Sequence, residues 1–265
     1  MILLHAIVAA LYAIAAWARW PRETAISAGA ERAAAWLIPV ALALHAAVIA
    51  HAIFTPEGLD LSLAHALSLV AGLSVLIAWG SGVLATLPRV GAVVLPIASL
   101  GALLPALWSN PHRFAYTGER WATAHIAVAL VAYALFIVAA LQSLVLTSLE
   151  KRLHHGLSPT GHDTPPLLTL ERYLFRLIAA GFVLLTLTLG SGVLFSEQLF
   201  GKPLTFTHKN VFSVAGWLVF AVLLVGRWRY GWRGRAAVKW ILGGTALLLL
   251  GYLGSKFVLE VLLHR

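Results

Sequence analysis

Several stretches of about 20 residues in this chain carry no Asp, Glu, Lys or Arg, and a helix of that length crosses a hydrocarbon layer roughly 30 Å thick. Residues 90–108 and 123–147 are two of them. Lipid offers backbone N–H and C=O groups no partner, so each such stretch must satisfy its own hydrogen bonds and fold as a helix. The Leu and Ala content of the runs agrees with that reading. So does the bulk composition: 60% of residues are hydrophobic and 11% are charged, where a soluble domain carries roughly a quarter charged.

The pattern therefore predicts an all-α integral membrane protein of about eight transmembrane helices, a single polytopic domain over 1–265. The spans fall near 2–20, 34–54, 64–86, 90–108, 123–147, 174–195, 211–228 and 240–262. The apolar N-terminus lacks a basic leader region and reads as a retained first helix. Connections are short apart from 148–173, where Gly156, Pro159, Gly161, Pro165 and Pro166 predict irregular chain that restarts as a helix near Leu170.

Charge sets the expected topology. One alternate set of connections holds thirteen Lys and Arg, including Arg19, Arg22, Arg89, Lys151, Arg152, Arg227 and Arg235; the other holds Arg113, Arg120, Lys202, Lys209 and Arg265. The richer set is expected on the cytoplasmic side, which places both termini on the outer, periplasmic side of a bacterial inner membrane. The formal net charge of +9 is accounted for by this distribution, so no nucleic-acid partner is inferred. The run Arg227-Trp228-Arg229-Tyr230-Gly231-Trp232-Arg233-Gly234-Arg235 reads as an anchor on anionic lipid.

The chain has no cysteine, which excludes disulfides, thiolate metal sites and covalent attachment of c-type haem. No phosphate loop, His-Glu-x-x-His or Gly-x-Ser-x-Gly pattern is present, so no enzyme is predicted. Eleven histidines remain. His154, His155 and His162 fall in the long loop; His51, His65, His125, His208 and His264 fall near outer helix ends, and His45 lies mid-helix. Imidazole is the common neutral ligand of transition metals and haem iron, and ionisable groups at membrane depth are costly enough to read as functional. An interfacial or hydrogen-bonding role is the ordinary alternative for any one of them. His45 and His51 stand six residues apart, about 240° around a helix, so they cannot face one ligand together.

An aromatic segment with Phe195, Phe200, Phe206, Phe212 and Trp217 surrounds the outer histidines, and Arg113, Arg120, Lys202 or Lys209 could meet carboxylates there. An interfacial aromatic belt would read the same way. Lys256 and Glu260 are spaced i, i+4 and predict a salt bridge. Gly80-Ser81-Gly82-Val83-Leu84 recurs as Gly190-Ser191-Gly192-Val193-Leu194, for which close helix packing through small residues is the default.

The second half resembles the membrane cytochrome c assembly family, haem-handling proteins that include the CcsA, CcmC and HemX-like groups. The likeness is carried by 181–217, by Gly231-Trp232-Arg233-Gly234 and Gly251-Tyr252-Leu253-Gly254, and upstream by His125 with Tyr133 and Ala139-Ala140-Leu141. Pro165-Pro166-Leu167 and Glu171-Arg172 place it nearest the HemX/YpjD-like group. The resemblance implies non-covalent b-type haem near the outer face, with His125 as one axial ligand and His264 or His208 as the other. His45 would serve a deeper site, while Phe206, Trp217, Lys209 and Arg120 would contact the cofactor. Where the family reads Trp-Asp-Pro-Lys-Glu, this chain has Phe206-Thr207-His208-Lys209-Asn210, and Val225 replaces a membrane histidine of the haem exporters. The implied role is haem handling or cytochrome c assembly beside another membrane assembly protein. The alternative drawn from the histidines alone is transport of divalent metal ions, or its regulation, without haem.

Overall fold

The computed structural model describes residues 1–18, 28–55, 58–108, 113–114, 120–154, 167–194 and 208–258. The chain divides into two compact units, Met1–Thr117 and Gly118–Arg265. Both are helical, apart from one small sheet in the first.

The first unit contains α1 (Ile2–Ala18), α2 (Ala28–Ile53), α3 (Leu63–Gly80), the short α4 (Val83–Thr86) and α5 (Pro88–Leu107). The strands β1 (Phe54–Thr55), β2 (Gly58–Asp60) and β3 (Arg113–Phe114) pair antiparallel in that order. Tyr12, Ile38, Leu84 and Leu95 are among its fully buried side chains. Ser62 caps α3, its hydroxyl accepting from the His65 backbone N–H at 3.4 Å, and the Ser62 N–H donates to Asp60 at 3.2 Å. Such a cap supplies one of the acceptors that the first turn of a helix lacks.

The apolar run over 64–86 is read from sequence as one helix, and the structure breaks it. Helix α3 ends at Gly80, and Gly82 takes φ 74°, a left-handed conformation that glycine adopts without steric cost. Pro88 then opens α5 at a first-turn position, where its missing N–H forfeits no bond.

The second unit contains α6 (Arg120–His154), α7 (Leu167–Leu194), α8 (His208–Tyr230) and α9 (Gly234–Leu249). The last helix passes through a π-helical stretch, Leu250–Gly254, into the short α10 (Ser255–Phe257). Aromatic rings fill its core against glycines. Phe136 and Phe220 stack at 4.0 Å between centroids, with Gly181 against the first ring and Gly244 against the second. Small residues let helix backbones approach where lipid provides no hydrophobic drive for association. The Gln142 side-chain amide donates to the Leu170 carbonyl at 3.1 Å, tying α6 to α7. At the same end, Arg227 donates to Glu171 at 3.0 Å and to the Trp232 carbonyl at 3.1 Å, and covers the Phe175 ring. Gly231 and Gly234, with φ 65° and 53°, turn the chain from α8 into α9.

Among the described residues, seven helices are long and apolar enough to cross a membrane, and α1 is a shorter apolar helix of 17 residues. Each of the eight sequence-derived spans overlaps one of these helices. Several run beyond the apolar stretch: α6 continues through Glu150, Lys151 and Arg152, and α7 starts at Leu167, close to the restart expected near Leu170 and ahead of the span at 174. The chain is a multi-pass membrane protein.

Candidate functional site

The antiparallel order of the second unit gathers the start of α6, the end of α7, the start of α8 and the final helix at one end. His125 lies in the second turn of α6, half-buried, with its ring against α7. A Cβ on Gly192 would stand 3.5 Å from the His125 Cε1, so the ring lies in ordinary contact with that backbone. The His125 Nδ1 is 2.8 Å from the Ser191 hydroxyl oxygen. Ser191 in turn donates to the Thr188 carbonyl at 3.1 Å. The Gly-Ser-Gly segment that breaks the first unit's helix is here continuous helix, and its serine holds a histidine.

The same end carries two lysines on one ring. The Lys209 Nζ lies 5.6 Å from the Tyr252 centroid and the Lys256 Nζ lies 5.9 Å from it. Tyr252 also packs on Tyr133 at 5.6 Å, and the Tyr133 hydroxyl donates to the Leu248 carbonyl at 3.1 Å. The final helix lies close against α8: a Cβ on Gly251 would stand 3.1 Å from the Phe212 Cβ and 3.3 Å from the Lys209 carbonyl oxygen.

The other sequence-derived residues divide clearly. His208 opens α8 and is exposed. Trp217 sits nine residues further on, about 13 Å along the helix axis, where its indole N–H donates to Thr186 at 2.9 Å and its ring stacks on Phe182 at 5.5 Å. It belongs to the α7–α8 contact rather than to the group around His125. Phe206 and His264 lie outside the described residues, as does the Arg120 side chain.

His45 belongs to the first unit and is buried at 2% exposure. Its Nδ1 is 3.2 Å from the Tyr12 hydroxyl and its Nε2 is 3.0 Å from the Ser68 hydroxyl. A Cβ on Gly72 would come within 3.0 Å of the Nδ1. His5, equally buried, donates from Nδ1 to the Ala102 carbonyl at 2.8 Å. Among the described residues, no group of three or more His, Asp or Glu side chains is placed to hold a metal ion.

Sequence reasoning missed Ser191, Tyr12 and Ser68. Ser191 stood inside a noticed motif but was read only as packing. Tyr12 and Ser68 lie 33 and 23 residues from His45, and no local pattern ties them to it.

The helices and the histidine-bearing end define a polytopic membrane protein with a polar, basic site at one end of its second unit. The chain belongs to the cytochrome c assembly protein family, whose model matches residues 35–263. Among similar proteins, the inner membrane protein YpjD of Escherichia coli K12 is 37% identical over 138 residues, which cover 52% of each chain. A 28.8 kDa protein of Azospirillum brasilense is 36% identical over 144 residues, 54% of this chain and 53% of its own. The cytochrome c biogenesis protein CcsA of Chlamydomonas reinhardtii is 29% identical over 158 residues, 60% of this chain and 41% of its own. The chain spans about half the length of the curated relatives it matches. No solved structure matches.

Proposed function

We propose that this chain is a bacterial inner-membrane protein that binds b-type haem non-covalently and serves haem handling in cytochrome c assembly, without catalytic turnover. The observation that carries the reading is the chain from His125 through Ser191 to the Thr188 carbonyl. A carbonyl oxygen only accepts, so the Ser191 hydroxyl donates to it, and the serine oxygen then accepts from the His125 Nδ1–H. That tautomer leaves the lone pair on Nε2, the form of imidazole that ligates iron. A fixed partner on the remote nitrogen is the usual outer support of a ligating histidine.

The neighbouring groups are compatible with a haem: Tyr252 would supply an aromatic ring and Lys209 an ammonium group for a carboxylate. When bound, haem would supply an iron centre for axial ligation and electron exchange. The chain's part is to hold the His125 ring, orient it and set the local charge. His208 or His264 is proposed as the second axial ligand, with Phe206 and Arg120 as contacts. His45 and Trp217, whose polar atoms are already engaged, are assigned structural roles. The relatives named for cytochrome c biogenesis support the assembly role, and the YpjD name supports the inner membrane. Both termini on the outer side, and the two units acting as one membrane domain, are part of the same reading.

The test is the absorption spectrum of the purified protein, reduced against oxidised. A Soret band with sharp α and β bands is the expected result. Protein that purifies without absorbance and takes up no added haem contradicts the proposal. Divalent-ion binding by that colourless protein would favour the metal-transport alternative.

A further inference from the structure

At the end of the second unit opposite His125, a cavity of about 450 Å³ opens between α6, α7 and α9. Its polarity follows depth. Glu150, Glu171 and Arg233 stand at the mouth, near the helix ends. On α6, Leu146 and Ser143 lie about one and two turns deeper than Glu150. On α7, Leu174 and Phe175 lie about one turn deeper than Glu171, and on α9 Val238 lies just over one turn deeper than Arg233. The Ser143 and Thr147 hydroxyls in the wall donate to carbonyls of their own helix, to Ala140 at 2.7 Å and to Ser143 at 2.9 Å. The interior therefore offers hydrocarbon surface rather than spare donors.

The charges at the mouth are not all matched by the protein. Glu171 is paired with Arg227 at 3.0 Å. Among the described residues, the Glu150 and Arg233 side chains make no hydrogen bond or ion pair. They belong to one stretch of the rim: a Cβ built on Gly234, the residue after Arg233, would lie 3.9 Å from the Glu150 Oε2. An apolar interior beneath one unmatched anion and one unmatched cation is the complement of a zwitterionic amphiphile.

We propose that this cavity binds a phospholipid with a phosphoethanolamine headgroup, its acyl chain inside, its ammonium donating to Glu150 and its phosphate accepting from Arg233. A choline headgroup carries the same two charges without N–H donors, and a glycerol headgroup carries the phosphate without the cation. Charge-assisted hydrogen bonds are the stronger polar contacts, and Glu150 is part-buried, so the ammonium contact is the selective one. Arg233 is exposed, and its ion pair counts for less. A general anionic-lipid anchor on the arginine-rich run would attract phosphate and make no demand for an ammonium group.

The experiment exchanges the purified protein in detergent against phosphatidylethanolamine, phosphatidylcholine and phosphatidylglycerol with identical acyl chains, and reads bound lipid by native mass spectrometry. Phosphatidylethanolamine should be retained about tenfold more strongly than either of the others. Glu150→Gln should bring it down to the level of phosphatidylcholine, while Glu150→Asp keeps part of the preference. Arg233→Gln should weaken both of those lipids together, by about threefold. Lys151→Gln, exposed and outside the cavity, should change nothing. A melting curve for each variant separates lost lipid from lost fold. Equal retention of the three lipids overturns the site, as does a preference for phosphatidylglycerol or retention of none. A preference for phosphatidylethanolamine that survives in folded Glu150→Gln overturns it equally.

Discussion

His45 and His125 are both histidines inside apolar helices, and their surroundings differ in the one respect that governs ligand binding. His45 is sealed in the first unit with a hydroxyl on each ring nitrogen, Tyr12 on Nδ1 and Ser68 on Nε2. His125 is half-buried at a unit end, and its Nδ1 is held by a serine whose own proton is committed to a carbonyl. A histidine with both nitrogens satisfied by the protein stabilises the fold. His125 instead stands half-buried at the end of its unit, with a fixed partner on Nδ1. An unpaired polar group is costly in a membrane, and burial together with fixed partners separates the sealed His45 from the half-buried His125.

The largest expected effect comes from breaking the sealed side. His45→Leu leaves the Tyr12 and Ser68 hydroxyls buried without a partner, at about 1–3 kcal/mol each. Thermal unfolding in detergent should shift down by several degrees, with haem content per folded protein unchanged. Parallel loss of haem and stability would place the cofactor at the first unit. Next is the outer support of His125. Ser191→Ala removes the group that fixes the ring, and loss of such a partner typically costs 10–100-fold in metal affinity. Haem titration should show that weakening with thermal stability little altered; unchanged affinity would dismiss the serine as a positioning residue.

A smaller contrast sharpens the same comparison. Gly72→Ala brings a methyl within 3.0 Å of the His45 ring, which is held on both sides, whereas Gly192→Ala brings one to 3.5 Å from His125. The first should cost about 1 kcal/mol or more by overpacking; the second should be close to neutral. Equal costs would mean the two rings are equally confined. Smallest of all, His154→Ala, at the exposed far end of α6, should change neither spectrum nor stability.

Much of this fold was legible in the sequence because lipid imposes a length. Each apolar run became helical, with one of them broken at Gly82. The helix ends were less legible, since Glu150-Lys151-Arg152 and Glu171-Arg172 continue helical backbone past the apolar run. Absence of charge marks the depth of lipid and does not mark the last hydrogen-bonded turn. The repeated Gly-Ser-Gly-Val-Leu is instructive for the same reason. One copy breaks a helix at Gly82 and the other remains helical through Leu194, so five identical residues leave the outcome to their surroundings. His125 was singled out from its place near a helix end and from the family resemblance. Ser191, 66 residues away, was identifiable only once α7 was packed against α6. Lys256 was noticed for its i, i+4 relation to Glu260, which lies outside the described residues. Its convergence with Lys209 on Tyr252 comes just after a π-helical stretch that no local pattern announced.

The most direct test of the account is the haem spectrum of His125→Ala set beside that of His45→Ala, each measured on protein that remains folded in detergent. The account predicts that His125→Ala either empties the site or leaves a high-spin haem that added imidazole returns to low spin, while His45→Ala keeps the wild-type spectrum. Wild-type low-spin haem in His125→Ala together with its loss in His45→Ala would contradict the account and move the cofactor to the first unit.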